Sequence, residues 1–131
     1  MKILQAIGFV IIILSIPVLL LSASLAWGFN SHWLYNYGFE RYGVSQSTGL
    51  SMSELNKTAD ALINYFNSSD EFIHINVTVN GQTFGLFTLE EQMHFRDVKQ
   101  LVRLDYTVFF VSLAVFAILS FLQVVGDFRK N

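Results

Sequence analysis

The sequence predicts a membrane α-helical protein carrying a small α+β domain, with two transmembrane helices bracketing a helix, a β-hairpin and a further helix. Three observations predict it. Hydrophobic residues make up 53% of the 131 positions and charged ones 14%, against roughly 25% charged in ordinary soluble domains. Two long stretches, Ile3 to Trp27 and Tyr106 to Val125, hold no Asp, Glu, Lys, Arg or His. Each is long enough to span, since a hydrocarbon core of about 30 Å needs about 20 helical residues. Between them the periodicity switches from helical to alternating and back, as it does in a small α+β domain.

The first apolar segment, residues 3–27, reads as a retained transmembrane helix. Lys2 and the small-x-small triplet Ser24-Leu25-Ala26 imitate a cleaved signal peptide. The run is longer than a signal's apolar region of about 7–15 residues, however, and Trp27 at its end fits an interfacial anchor. Pro17 lacks a backbone donor, so a kink is expected there, with carbonyls near Ile13 left for Ser15 or a neighbouring helix to satisfy. The stretch Gly28 to Tyr42 is crowded with Phe29, His32, Trp33, Tyr35, Tyr37 and Phe39. It is too polar to span and too apolar for a free linker, and is expected to lie along the membrane interface.

Residues 28–104 form the middle domain. Ser51 followed by Glu54 is a capping box, in which each side chain satisfies a donor at the helix start. Met52, Leu55, Ala59, Leu62, Ile63 and Phe66 recur at three- and four-residue intervals, so 52–66 reads as one amphipathic helix. Phe72 to Val79 alternates large and polar residues, Asn80-Gly81 is a strong hairpin signal, and Thr83 to Phe87 returns. Thr88 and Glu91 make a second capping box. Nothing interrupts the helix it opens before the second apolar segment, 105–126, so a helix continuous from Leu89, or bent near Arg103, is expected.

Gly126-Asp127 ends that segment, leaving residues 127–131 as a short tail with Arg129 and Lys130. Lys2 and the terminal basic pair favour cytoplasmic termini, yet Arg96, Lys99 and Arg103 lie near the other end of the second apolar helix. Charge counting alone therefore leaves orientation open.

Several function classes drop out. A net charge of −2 with no basic cluster gives no footprint for nucleic acid. The absence of cysteine removes disulfides, thiolate nucleophiles and Cys-rich metal sites together. Ser45, Ser47 and Thr48 lack any nucleophile-elbow pattern, which argues against a serine hydrolase. Sequons at Asn56, Asn67 and Asn76 are short patterns that arise easily by chance.

The constellation with chemical content is Glu90, His94 and Asp97, whose spacings of four and three place them on one helical face. A carboxylate one turn away can orient an imidazole and raise its basicity, as a general base near neutral pH requires. The bland reading is a surface helix with a Glu/His pair worth a few tenths of a kcal/mol. A metal site is disfavoured because the paired histidines of zinc proteases are missing, so neither metal nor cofactor is expected. His32, among aromatics, and His74, in a strand, have no evident partner in sequence.

The run Trp33 to Tyr42 (WLYNYGFERY), the helix Ser51 to Tyr65, and Leu86 to Lys99 (LFTLEEQMHFRDVK) stand in order between two apolar segments. In this the chain resembles the bacterial lipoprotein intramolecular transacylase family, most sharply in the H-x-x-D-V-K piece from His94 to Lys99. The resemblance implies a cell-membrane enzyme that moves an acyl chain from the diacylglyceryl group of a lipoprotein's N-terminal cysteine to that cysteine's α-amine, giving a lyso-form lipoprotein. It implies both termini in the cytoplasm and an extracytoplasmic middle domain. His94 would be the base, Asp97 or Glu90 its orienting partner, and Lys99, Arg96 or Arg103 the cation that stabilises developing negative charge. Membrane lipid and diacylated lipoprotein would be the partners.

Family members continue with two more membrane helices and, by the same resemblance, a second essential histidine, whereas this sequence ends at Asn131. Expected, then, is a natural half complemented by a second membrane subunit, a truncated product, or a diverged non-catalytic module that binds lipid, lipoprotein or a partner membrane subunit.

Overall fold

A computed structural model describes residues 2–128, with side chains over 3–126; Arg129, Lys130 and most of the expected tail, and the side chain of Lys2, lie outside the described residues. The chain divides into two compact units, one of Met1–Ala26 with Arg103–Asn131, the other of Trp27–Val102.

The first unit is built from two long helices, α1 (Lys2–Asn30) and the later part of α5 (Leu89–Phe128). Both are long and apolar enough to cross a membrane, and only 6% of the most apolar 18-residue window of each is buried. A core helix of a soluble protein would be mostly buried. Here the buried positions are hydroxyls, Ser15, Ser22 and Ser112, while Leu20, Leu21 and Ile118 face outward. Small residues between helices and aliphatic ones outside is the pattern lipid favours, since it rewards close backbone approach and has no quarrel with exposed leucine. The helices run antiparallel: Gln123 Nε2 donates to the Gln5 carbonyl at 3.3 Å, and Ile11, Leu14, Ser15 and Val18 share a groove with Thr107, Val108, Val111 and Ser112.

Helix α1 continues through Pro17. The proline removes the donor that would reach Ile13, while the Ser15 hydroxyl donates one residue earlier, to the Ile12 carbonyl at 2.8 Å.

The second unit holds α2 (His32–Arg41), α3 (Val44–Thr48), α4 (Met52–Asn67), a hairpin of β1 (Asn76–Val79) and β2 (Gln82–Gly85), and the start of α5. Two of these helices exceed the expected helix, hairpin, helix. Ser31 caps α2 by accepting the Leu34 N–H, and left-handed Gly43 and Gly49 bracket α3. Aromatic crowding masked α2 in the sequence, and α3 is a single short turn of five residues.

Helix α4 forms as its periodicity requires, burying Leu55, Thr58, Ala59, Leu62, Tyr65 and Phe66. Leu50, Ile73, Ile75, Val77 and Val102 complete the core. Only half of the first capping box forms. Ser51 Oγ accepts the Glu54 N–H, but the Glu54 carboxylate turns away, Oε2 accepting the Thr78 N–H at 3.0 Å and Oε1 the Lys57 ammonium at 3.0 Å. It thereby ties α4 to β1. The second box closes in both directions: Thr88 Oγ1 accepts the Glu91 N–H, and Glu91 Oε2 accepts the Thr88 N–H at 2.7 Å.

The hairpin turns at Asn80 (φ 52°) and Gly81 (φ 79°), with Val79 opposite Gln82. Two successive positive φ values define a type I′ turn, whose twist matches antiparallel strands. The strands are shorter than the alternation suggests because the return strand ends at Gly85 and the chain turns toward the Thr88 cap. One further bond, Leu86 N–H to the Ile75 carbonyl at 2.8 Å, extends the pairing. The alternation persists regardless, with Ile73, Ile75 and Val77 buried and His74, Asn76 and Thr78 exposed.

Candidate functional site

The first turns of α5 have two unlike faces. Inward, Phe95 packs on Phe66 (ring centroids 6.3 Å apart) and Phe87 (4.6 Å), and Val102 is 1% exposed. Outward stand Glu90, Met93, His94, Asp97 and Leu101, all exposed. The spacing of the three polar residues thus does place them on one face.

His94 lies open on that face. Phe95 is its nearest ring neighbour, with centroids 6.5 Å apart. Among the described residues no hydrogen bond or ion pair joins its imidazole to Glu90 or Asp97. Asp97 Oδ1 instead lies 3.7 Å from Arg96 Nε. The geometry leaves both ring nitrogens available to an incoming group, within reach of two carboxylates one turn away on either side.

Two of the three candidate cations turn the other way. Lys99 is 4% exposed; its Nζ donates to the Asp70 carbonyl at 2.7 Å and to Ser68 Oγ at 3.0 Å, and sits 4.1 Å from the Tyr65 ring centroid. Arg96 Nη1 pairs with Glu71 Oε1 at 3.3 Å, and its guanidinium lies 5.5 Å from the Phe72 ring centroid. At about 100° per residue, positions two and five beyond His94 fall on the far half of a helix. Both therefore pin the 68–72 loop to α5. Arg103 is exposed and belongs to the other unit. The His94 face itself carries two carboxylates and no cation among the described residues.

The structure also gives His32 the partners that sequence did not. Its Nε2 lies 3.2 Å from Asp60 Oδ1, and its Nδ1 lies 3.1 Å from Asn36 Nδ2. A neutral imidazole meets both, Nε2–H donating to the carboxylate and Nδ1 accepting from the amide. The His32/Asn36 half is an i,i+4 pair and was legible in principle. Asp60, 28 positions away on α4, was not. With both nitrogens engaged, His32 clasps α2 to α4. His74 lies exposed beside a hollow lined by Asn64, Tyr65, Asp70 and Glu71. No group of three or more His, Asp or Glu side chains is arranged to hold a metal among the described residues.

Two carboxylates hold their protons less tightly than usual. Glu54 is lowered first by the hydrogen bond from Lys57 and then by the Thr78 N–H, and Glu91 by the Thr88 N–H and then its hydroxyl.

The model of the family described as lipoprotein intramolecular transacylase Lit matches residues 10–130, a span that includes most of the first apolar segment, all of the second and the His94 face. Comparisons with curated proteins and with solved structures give no match.

Proposed function

Since the chain belongs to the lipoprotein intramolecular transacylase family, we propose that it serves acyl transfer within a diacylated lipoprotein at a membrane, with His94 as the proton carrier. The observation that carries this reading is an unpaired imidazole standing on the outward face of α5 within the matched span.

The chemistry follows from the groups present. The α-ammonium of the lipid-modified cysteine, pKa about 8, gives a proton to the His94 imidazole. The freed amine nitrogen attacks an ester carbonyl carbon of the diacylglyceryl group, forming the C–N bond. The tetrahedral intermediate then collapses, the C–O bond to glycerol breaks, the imidazolium returns its proton to the departing glycerol oxygen, and the acylated nitrogen releases its second proton to solvent. An amide and a free hydroxyl result. Amine and ester belong to one lipid-modified residue, so the substrate supplies most of the proximity and the protein must orient groups and move a proton. Asp97 or Glu90 orients the ring once substrate excludes water.

Lys99 and Arg96 are committed to the 68–72 loop, so in this reading they position α5 rather than meet the oxyanion. Its donor comes from a second membrane subunit seated beside the His94 face. By this reading the termini are cytoplasmic and the middle domain extracytoplasmic, which places His94 on the side where lipoproteins are displayed.

The alternative, a non-catalytic module that binds lipid, lipoprotein or a partner subunit, is favoured by a His94 face that carries two carboxylates and, among the described residues, no cation. One experiment separates the two. The chain is produced in cells that make a diacylated reporter lipoprotein and lack their own transacylase, and the reporter's N-terminal peptide is weighed and fragmented. Acyl transfer predicts an N-acylated cysteine with a lysoglyceryl group; an unchanged diacylglyceryl peptide with a free amine contradicts it.

A further inference from the structure

Helix α2 buries no residue, although half of it is well held. Its inner side is fastened to α4 through His32 and Asp60, and the chain before it through Asn30 and Asn67 (2.8 Å) and the edge-on contact of Phe29 with Phe66 (5.1 Å). The outer side carries Trp33, Leu34 and Tyr37, which are 64%, 38% and 51% exposed. These are large apolar side chains left exposed on the described surface.

The outer rings are ordered with respect to one another. Trp33 stacks on Tyr37 with centroids 5.6 Å apart and an interplanar angle of 19°, and Trp27, itself 58% exposed, lies 6.4 Å from Trp33. The three form a ladder from the last turn of α1 into α2. An exposed patch of this kind marks an interaction surface rather than chance exposure.

We propose that the Trp27–Trp33–Tyr37 ladder is a lipid-interface surface, seated in the head-group zone of a bilayer. Continuity is the first argument: the ladder begins at Trp27, where the uncharged stretch from Ile3 ends. Side-chain chemistry is the second. Trp and Tyr each join a flat apolar ring to one polar tip, which suits a zone apolar on one side and wet on the other. The third is the division of α2 into a fastened inner side and an aromatic outer side, with Glu40 and Arg41 exposed at its end, as in helices that lie in a membrane surface. The clasp of His32 on Asp60 then fixes which side of α2 faces lipid. None of this depends on acyl transfer.

Depth-dependent fluorescence quenching tests the proposal. The chain has two tryptophans, so Trp27→Phe leaves Trp33 as the only indole. The full-length variant is reconstituted in phosphatidylcholine vesicles containing lipid brominated either near the head group or near the end of the acyl chain. Seating in the interface predicts that the shallow label lowers Trp33 emission about twofold, more than the deep label does, while aqueous acrylamide has little effect. Strong acrylamide quenching without bromolipid quenching overturns the proposal. So does protection from both quenchers, which would mean that protein, a second copy or another partner, covers the ladder. Trp33→Phe repeats the measurement through Trp27, with the same expectation should the first variant fail to fold.

Discussion

Lys99 Nζ stands 4.1 Å from the centroid of the Tyr65 ring, on the side of α5 opposite His94. Lys99, the last residue of the H-x-x-D-V-K piece and a candidate to meet substrate charge, is a buried fastening between α5, α4 and the loop after α4. Lys99→Met should remove the bond to the Asp70 carbonyl and the cation–ring contact, at a combined cost of about 2–4 kcal/mol. Thermal unfolding of the full chain in micelles reads this directly. Unchanged stability with lost activity would return Lys99 to the chemistry.

The tie between Glu54 and the Thr78 N–H makes the hairpin acid-sensitive. Glu54 titrates below the ordinary glutamate range in the folded chain, so its contribution is complete above that range. It is lost as the pH falls through the lowered value. Hydrogen exchange at the Thr78 amide, corrected for intrinsic rate, should therefore quicken on acidification. In Glu54→Gln, which keeps an acceptor but cannot ionise, the acid dependence at Thr78 should vanish.

Gly81 has φ 79° with nothing within 4 Å of the position a Cβ would take, so space does not forbid a side chain but conformation does. Gly81→Ala should destabilise the hairpin by about 1 kcal/mol. Exchange rates in β1 and β2 should rise while those in the middle of α4 hold. An unaffected hairpin would contradict the type I′ assignment.

The His32 clasp is half exposed, 39% on the histidine side chain and 67% on the aspartate. Asp60→Ala should therefore cost less than about 1 kcal/mol. The informative readout is nitrogen NMR of the imidazole, in which the preference for a proton on Nε2 should weaken in the variant. A tautomer balance unchanged by Asp60→Ala would remove the clasp.

Much of the architecture was legible because it rests on local rules. Ser51 and Thr88 announce helix starts, Asn80-Gly81 announces a turn, and α4 carries its periodicity openly. The shared face of Glu90, His94 and Asp97 follows from spacing alone. Long-range choices were not legible. Glu54 prefers the Thr78 N–H, 24 residues away, to the N–H of its own cap. Asp60 finds His32, and Lys99 finds Asp70 and Ser68, because helices and loop pack so as to bring them together. Helix α2 escaped notice for another reason: its aromatics lie on the exposed side, so the usual equation of large apolar residues with a buried stripe points to the wrong face.

The central claim is that the open imidazole of His94 moves the proton in acyl transfer, and the most direct measurement is the mass of a reporter lipoprotein's N-terminal peptide made alongside His94→Ala. His94 is exposed and makes no hydrogen bond among the described residues, so the variant should fold and accumulate like the parent. With the parent chain the peptide should carry its acyl group on the α-amine; with a folded His94→Ala that conversion should fall by about 10²-fold or more. Conversion by the variant at the parent's rate would contradict the account.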